Sequence, residues 1–167
     1  MTQVAARIRF SVPGQPEGMK RPRFAARRNG RGGHFVQVYT DNESRKYKEL
    51  ITLYARAHMP DAPWPGPVRL DVDAYLSRPE YLCKKSSPHG AIWCTQKPDR
   101  DNIEKAVLDA LTEAGLWGDD KQVCAGEVRK FYVAIGSEPG LVISAQRLEE
   151  PTQLELPEWR NKVDAQV

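Results

Sequence analysis

The sequence predicts a single α+β domain, a mixed β-sheet with two main helices packed against it. Three observations carry this reading. Apolar residues recur at every second position over residues 4–12 and again over 68–76, the period of strands with one face on a core. Two other segments, 47–57 and 103–114, space their apolar residues along one helical face instead. The length, 167 residues, is that of one ordinary domain, able to bury a core without disulfides or a structural metal.

In chain order, Val4, Ala6, Ile8, Phe10 and Val12 alternate with Ala5, Arg7, Arg9 and Ser11 as a strand, which Pro13, Gly14 and Pro16 end. Residues 19–33, MKRPRFAARRNGRGG, are basic and lack apolar periodicity, so they read as a loop that orders on a phosphate backbone, with Phe24 available to stack on a base. His34 to Tyr39 makes a short strand, and Asp41-Asn42 turns the chain into a helix along Tyr47, Leu50, Ile51, Tyr54 and Ala57 that stops near Pro60. A proline-rich link, Pro60 to Pro67, leads to the second strand, where Val68, Leu70, Val72, Ala74 and Leu76 alternate with Arg69, Asp71, Asp73 and Tyr75. Ser77 to Gln96 is a long polar loop, and loops of that length in compact domains usually carry function or disorder.

The next helix has the apolar stripe Ile103, Val107, Ala110, Leu111 and Ala114. Asp101 or Asn102 is its expected N-cap and Gly115 the residue beyond its end. Two strands, 122–135 and 141–148, are joined around Glu138-Pro139-Gly140 and expected to form a hairpin. Residues 149–167 read as a loose acidic tail outside a domain spanning 1–148.

Residues 1–60 hold 12 Lys/Arg against 4 Asp/Glu, whereas 148–167 hold 2 against 5, so the basic end suits a polyanion. Cys83, Cys94 and Cys124 leave one thiol over in any intramolecular pairing, and no signal-peptide pattern opens the chain. Both fit a reducing cytoplasm. No apolar run approaches the roughly 20 residues of a membrane helix, and no P-loop, nucleotide-binding glycine pattern or G-x-S-x-G elbow is present. Neither a membrane nor a nucleotide cofactor is therefore expected.

The candidate site lies in residues 97–123, KPDRDNIEKAVLDALTEAGLWGDDKQV, which set Asp99 and Asp101 before a helix, Lys105 within it, and Asp119 and Asp120 beyond it. Hard divalent cations take carboxylate oxygens, and Mg²⁺ accepts only one or two from protein, leaving water and substrate phosphate to complete its octahedron. On an extended backbone Asp99 and Asp101 would share one side, about 7 Å apart at Cα. Lys105, one turn past Asp101, would share its face about 5 to 6 Å away at Cβ, positioned either to steady a scissile phosphate or to make an ion pair. Capping and a solvated turn are the plain alternatives for these acids. Asp71 and Asp73 form a competing pair, read as solvent-exposed, and Cys83, His89 and Cys94 lack zinc-ligand spacing.

Pro98-Asp99-x-Asp101-Asn102, Lys105, Asp109-Ala110-Leu111 and Gly118-Asp119-Asp120-x-Gln122-Val123 strongly resemble the signature of RusA-type Holliday junction resolvases. Weaker similarity to the phage and prophage branch of that family reaches back through Lys20-Arg21-Pro22-Arg23 and Tyr39-Thr40. The resemblance implies a small homodimeric α+β endonuclease that binds branched DNA, four-way junctions above all, and nicks two strands symmetrically with Mg²⁺, or Mn²⁺ as a substitute. It implies Asp99, Asp101 and Asp120 as metal-binding catalytic acids, Asp119 as a further metal candidate, Lys105 as the catalytic lysine and Asn102 as support. Lys20, Arg21, Arg23, Arg27, Arg28, Arg31 and Lys97 are the candidate DNA contacts, made to backbone phosphate. The 77–96 loop and the tail depart most from the family pattern. Two rival readings stay open: a noncatalytic DNA-binding protein, and a broader nuclease that also cuts forks and flaps.

Overall fold

A computed structural model describes residues 6–19, 23–28, 34–39 and 42–149; residues 1–5, the tail beyond Glu149, and Lys20, Arg21 and Arg31 lie outside the described residues. The elements run β1 (Arg7–Pro13), β2 (Arg23–Arg28), β3 (His34–Tyr39), α1 (Asn42–Arg56), β4 (Val68–Leu76), β5 (Ile92–Trp93), α2 (Arg100–Ala114), β6 (Val123–Tyr132) and β7 (Gly140–Arg147). Five strands form one sheet in the order β1-β7-β4-β6-β5, and β2 and β3 pair as a separate two-stranded ribbon. The main sheet is mixed, since β4 and β6 run parallel while every other pairing is antiparallel.

Strand β4 takes the centre of the sheet, and its sequence alternates cleanly. Val68, Leu70, Val72, Ala74 and Leu76 are all buried, and the intervening side chains are half-buried. Each such Val or Leu contributes about 1.5 to 3 kcal/mol when withdrawn from water. Phe10 and Val12 of β1 and Leu141, Ile143 and Ala145 of β7 extend the same apolar face. Helix α1 covers it with Tyr47, Ile51 and Ala55, and α2 with Ile103, Val107, Ala110 and Leu111. Small residues let the helices approach closely, and Thr52 Oγ1 reaches the Ala110 carbonyl at 3.4 Å. At the solvent edge of that contact Lys48 donates to Glu113 at 2.6 Å.

Several expectations change. Residues 123–132 and 140–147 are strands but not partners, because β4 lies between them and pairs with both. A tight turn would have forced adjacency; the link of residues 133–139 is long enough to step over one strand. The basic stretch read as a loop contains β2, which carries Arg23, Phe24, Arg27 and Arg28 and pairs along its length with β3. A two-stranded ribbon satisfies its backbone polar groups across the ladder and needs no apolar alternation to do so. The 77–96 loop contains a helical turn at Glu80–Leu82 and the edge strand β5.

Candidate active site

Helix α2 begins at Arg100, two or three residues earlier than the expected caps Asp101 and Asn102 allow, with Asp99 at the N-cap in extended conformation (φ −70°, ψ 149°). Its first backbone bond runs from Ile103 N–H to the Asp99 carbonyl at 3.2 Å. Asp101 therefore sits inside the first helical turn, not on an extended run with Asp99. The Asp99 side chain makes no capping bond, although a carboxylate there would ordinarily accept one from an N-terminal amide. The helix ends at Gly115, whose left-handed φ of 89° lets its amide reach the Leu111 and Thr112 carbonyls.

Both acids face one polar cavity of about 660 Å³, lined also by Lys97, Pro98, Asn102 and the β1–β2 linker from Gln15 to Met19. The linker is clamped to the helix start. Met19 N–H donates to the Asn102 carbonyl at 2.9 Å, and buried Ser44 Oγ donates to the Gly18 carbonyl at 2.9 Å. Glycine is required at position 18 by this close approach, because a Cβ there would stand 2.8 Å from Asn102 Cβ and 3.0 Å from Pro98 Cβ. Lys130 Nζ donates to the Gln96 and Pro98 carbonyls at 2.6 and 2.7 Å and so fixes the segment leading to Asp99.

Electrostatics separate the two aspartate pairs. Asp71 is held bidentately by Arg69 at 2.8 and 2.9 Å, and Asp73 by Arg129 at 2.6 and 2.9 Å. These acids are thus charge-compensated on the sheet face, not simply solvated as expected. Asp99, Asp101 and Lys105 are exposed, with no side-chain ion pair or hydrogen bond among the described residues. The i, i+4 pair between Asp101 and Lys105 is therefore not made.

Asp119 and Asp120 lie outside the cavity lining, in a short helical turn (Asp120–Gln122) that packs against α2. Asp119 caps this turn, and Gln122 completes a capping box by accepting from the Gly118 and Asp119 amides while donating to the Trp64 and Gly66 carbonyls at 2.9 Å. The Asp119 carboxyl is held below the usual carboxylate range, first by the Lys121 backbone N–H. Asp120 is exposed. Among the described residues no three His, Cys, Asp or Glu side chains converge at ion-holding distance; of the three carboxylates that line the cavity, Glu17, Asp99 and Asp101, the last two form a pair at the helix start. That pair fits Mg²⁺, which uses one or two protein carboxylates.

Of the candidate DNA contacts, Lys97 lines the cavity, and Arg23, Arg27 and Arg28 belong to the ribbon that starts four positions after Met19. Sequence reasoning missed Gln15, Glu17 and Gly18 on the cavity, and read Tyr47 only as an apolar helix position. Glu17 left a signal, being the one acid before Asp41 in a basic stretch. Tyr47 left none: its hydroxyl is buried without a hydrogen-bond partner among the described residues, and burial, then the Glu17 carboxylate, raise its pKa.

The family model for endodeoxyribonuclease RusA matches residues 13–145, from the end of β1 to β7. The chain belongs to the RusA endodeoxyribonuclease family. Among its relatives, the Bacillus subtilis (strain 168) protein named Uncharacterized protein YqaN is 35% identical over 130 residues, covering 75% of this chain and 87% of its own. The crossover junction endodeoxyribonuclease RusA of Shigella sonnei (strain Ss046) is 28% identical over 108 residues, 65% of this chain and 77% of that one. The RusA of Enterobacteria phage 82 is 27% identical over the same shares. As a RusA-family chain its fold is the expected mixed α+β sheet with two helices, and among the described residues no helix is long and apolar enough to cross a membrane.

Proposed function

We propose that this RusA-family chain is a Mg²⁺-dependent endonuclease that resolves four-way DNA junctions as a homodimer, by water attack on the phosphodiester. One observation carries the reading: Asp99 and Asp101 are uncompensated carboxylates on one cavity with Lys97, at the start of a helix whose N-terminal amides favour anionic phosphate. The names of the Shigella and phage relatives support the substrate.

Asp99 and Asp101 would hold the metal, with Asp120 as a further acid from the adjoining turn; Asp119 is engaged as a cap. When bound, Mg²⁺ polarises phosphoryl oxygens and lowers the pKa of a coordinated water. Lys105, exposed one turn beyond Asp101, offsets the charge that develops on the scissile phosphate. Lys97 at the cavity and the arginines of β2 hold flanking phosphates, which supplies affinity and leaves junction preference to shape. A two-fold dimer presents two such sites to opposing strands of a junction of matching symmetry.

The test is cleavage of a mobile four-way junction beside matched duplex and fork, in Mg²⁺, Mn²⁺ or EDTA, with Asp101→Asn as control. Paired symmetric nicks in the junction, absent with EDTA and with the variant, are expected. Equal cutting of forks would widen the substrate to branched DNA at large, and tight junction binding without cutting in either metal would leave a noncatalytic binder.

A further inference from the structure

Apart from Lys97, the 77–97 excursion is unused by the chemistry above, yet it holds the two most exposed aromatic side chains among the described residues, Trp93 at 68% and Tyr81 at 62%. It also holds four Lys/Arg against one Asp/Glu. Exposed rings within a basic segment are the combination by which proteins take single-stranded nucleic acid, rings stacking on bases while cations track the backbone.

The geometry of the rings is more specific than their exposure. Tyr75, Phe131 and Trp93 stand in register on β4, β6 and β5, on the sheet face away from the helices. Their centroids are 5.4 and 4.7 Å apart, with interplanar angles of 25° and 27°, so the three form a stacked ladder with one ring per strand. Strand β5 is the sheet edge, and Trp93 therefore ends the ladder with its outer face open. Six residues of chain, at most about 20 Å, separate it from Asp99.

We propose that Trp93 is a stacking platform for a base released from the duplex stack at the branch point, with exposed Lys84, Lys85 and Lys97 facing the attached backbone. This rests on the branched-DNA reading, because the continuous stacking that holds a base inside a duplex is interrupted where strands exchange. A second copy of the chain is the less suitable occupant. A stable self-interface needs about 800 Å² per partner, whereas an aromatic side chain buries at most about 250 Å² and two of these rings are already half-covered. A two-fold contact would also set like-charged segments against each other.

The measurement is binding of a 12-residue oligothymidine and of a matched duplex in EDTA, by anisotropy and tryptophan emission, for the full chain, Trp93→Ala and Trp93→Phe. Trp93→Ala should weaken oligothymidine binding about 5- to 100-fold and abolish the quenching seen with the native chain, leaving duplex binding unchanged. Trp93→Phe, which keeps a ring, should bind oligothymidine nearly as the native chain does. Unchanged oligothymidine binding by Trp93→Ala, equal losses on both DNAs, or conversion of a sedimenting dimer to monomer would each overturn the platform. Junction nicking is scored on the same preparations: a native chain that binds oligothymidine through Trp93 but never nicks sinks the resolvase reading alone, and one that nicks without needing Trp93 for single strands sinks the platform alone.

Discussion

Two aspartate pairs with the same i, i+2 spacing end in opposite electrostatic situations. Arginines pair with Asp71 and Asp73, whereas Asp99 and Asp101, at a helix N-terminus, have no side-chain partner among the described residues. Asp99→Asn and Asp101→Asn should each cut nicking by at least about a hundredfold with the melting temperature preserved, and Lys105→Ala by about 10²- to 10³-fold with junction binding kept. Asp71→Asn should leave nicking untouched. Single-turnover cleavage and thermal melts check all four. Asp119 is expected to act through folding: its depressed pKa means its contribution is complete above the ordinary carboxylate range and is lost as pH falls through the lowered value. Melting curves of native protein and Asp119→Asn should therefore differ at neutral pH and converge in strong acid; a constant gap would remove that carboxylate from the pH dependence. At this scale the stretch 97–123 was legible in the sequence, and the structure brings Asp99 and Asp101 from it to one cavity while Asp119 and Asp120 lie outside that lining. The compensation of Asp73 was not legible, since its arginine lies 56 positions away.

Elements with a long, clean period were equally legible. Strand β4 was expected at residues 68–76 and is found at Val68–Leu76, with the expected side buried. Strand β5, only two residues long, has no period to read. Neighbour order was also hidden, because alternation says which face is buried and nothing about which strand lies alongside. The parallel β4–β6 pair supplies a prediction of its own. Gly126 has φ +142° beside Leu70, and a Cβ there would fall 1.7 Å from the Leu70 carbonyl oxygen. No flexible side chain can yield at that contact. Gly126→Ala should split the central pairing and give insoluble or unfolded protein; a soluble variant with native circular dichroism and melting temperature would show that the strands can part there at little cost.

For the whole molecule, the charge distribution sets the binding behaviour. The positive excess lies in residues 1–60, whose described part includes the β2–β3 ribbon. Junction affinity should thus fall steeply with salt, log K declining linearly against log salt with a slope of about −0.9 for each phosphate neutralised. Replacing Arg27 and Arg28 by Ala should flatten that slope by about one to two units. Equilibrium titrations between low and physiological salt provide the check, and an unchanged slope would take both arginines off the DNA.

The clamp at Gly18 links these scales. Asn102 and Pro98, which flank the acid pair, also grip Gly18 and Met19, and the ribbon starts four positions after Met19. The root of the ribbon and the acid pair therefore share one anchor, so a substitution that loosens the approach at Gly18 should disturb both together.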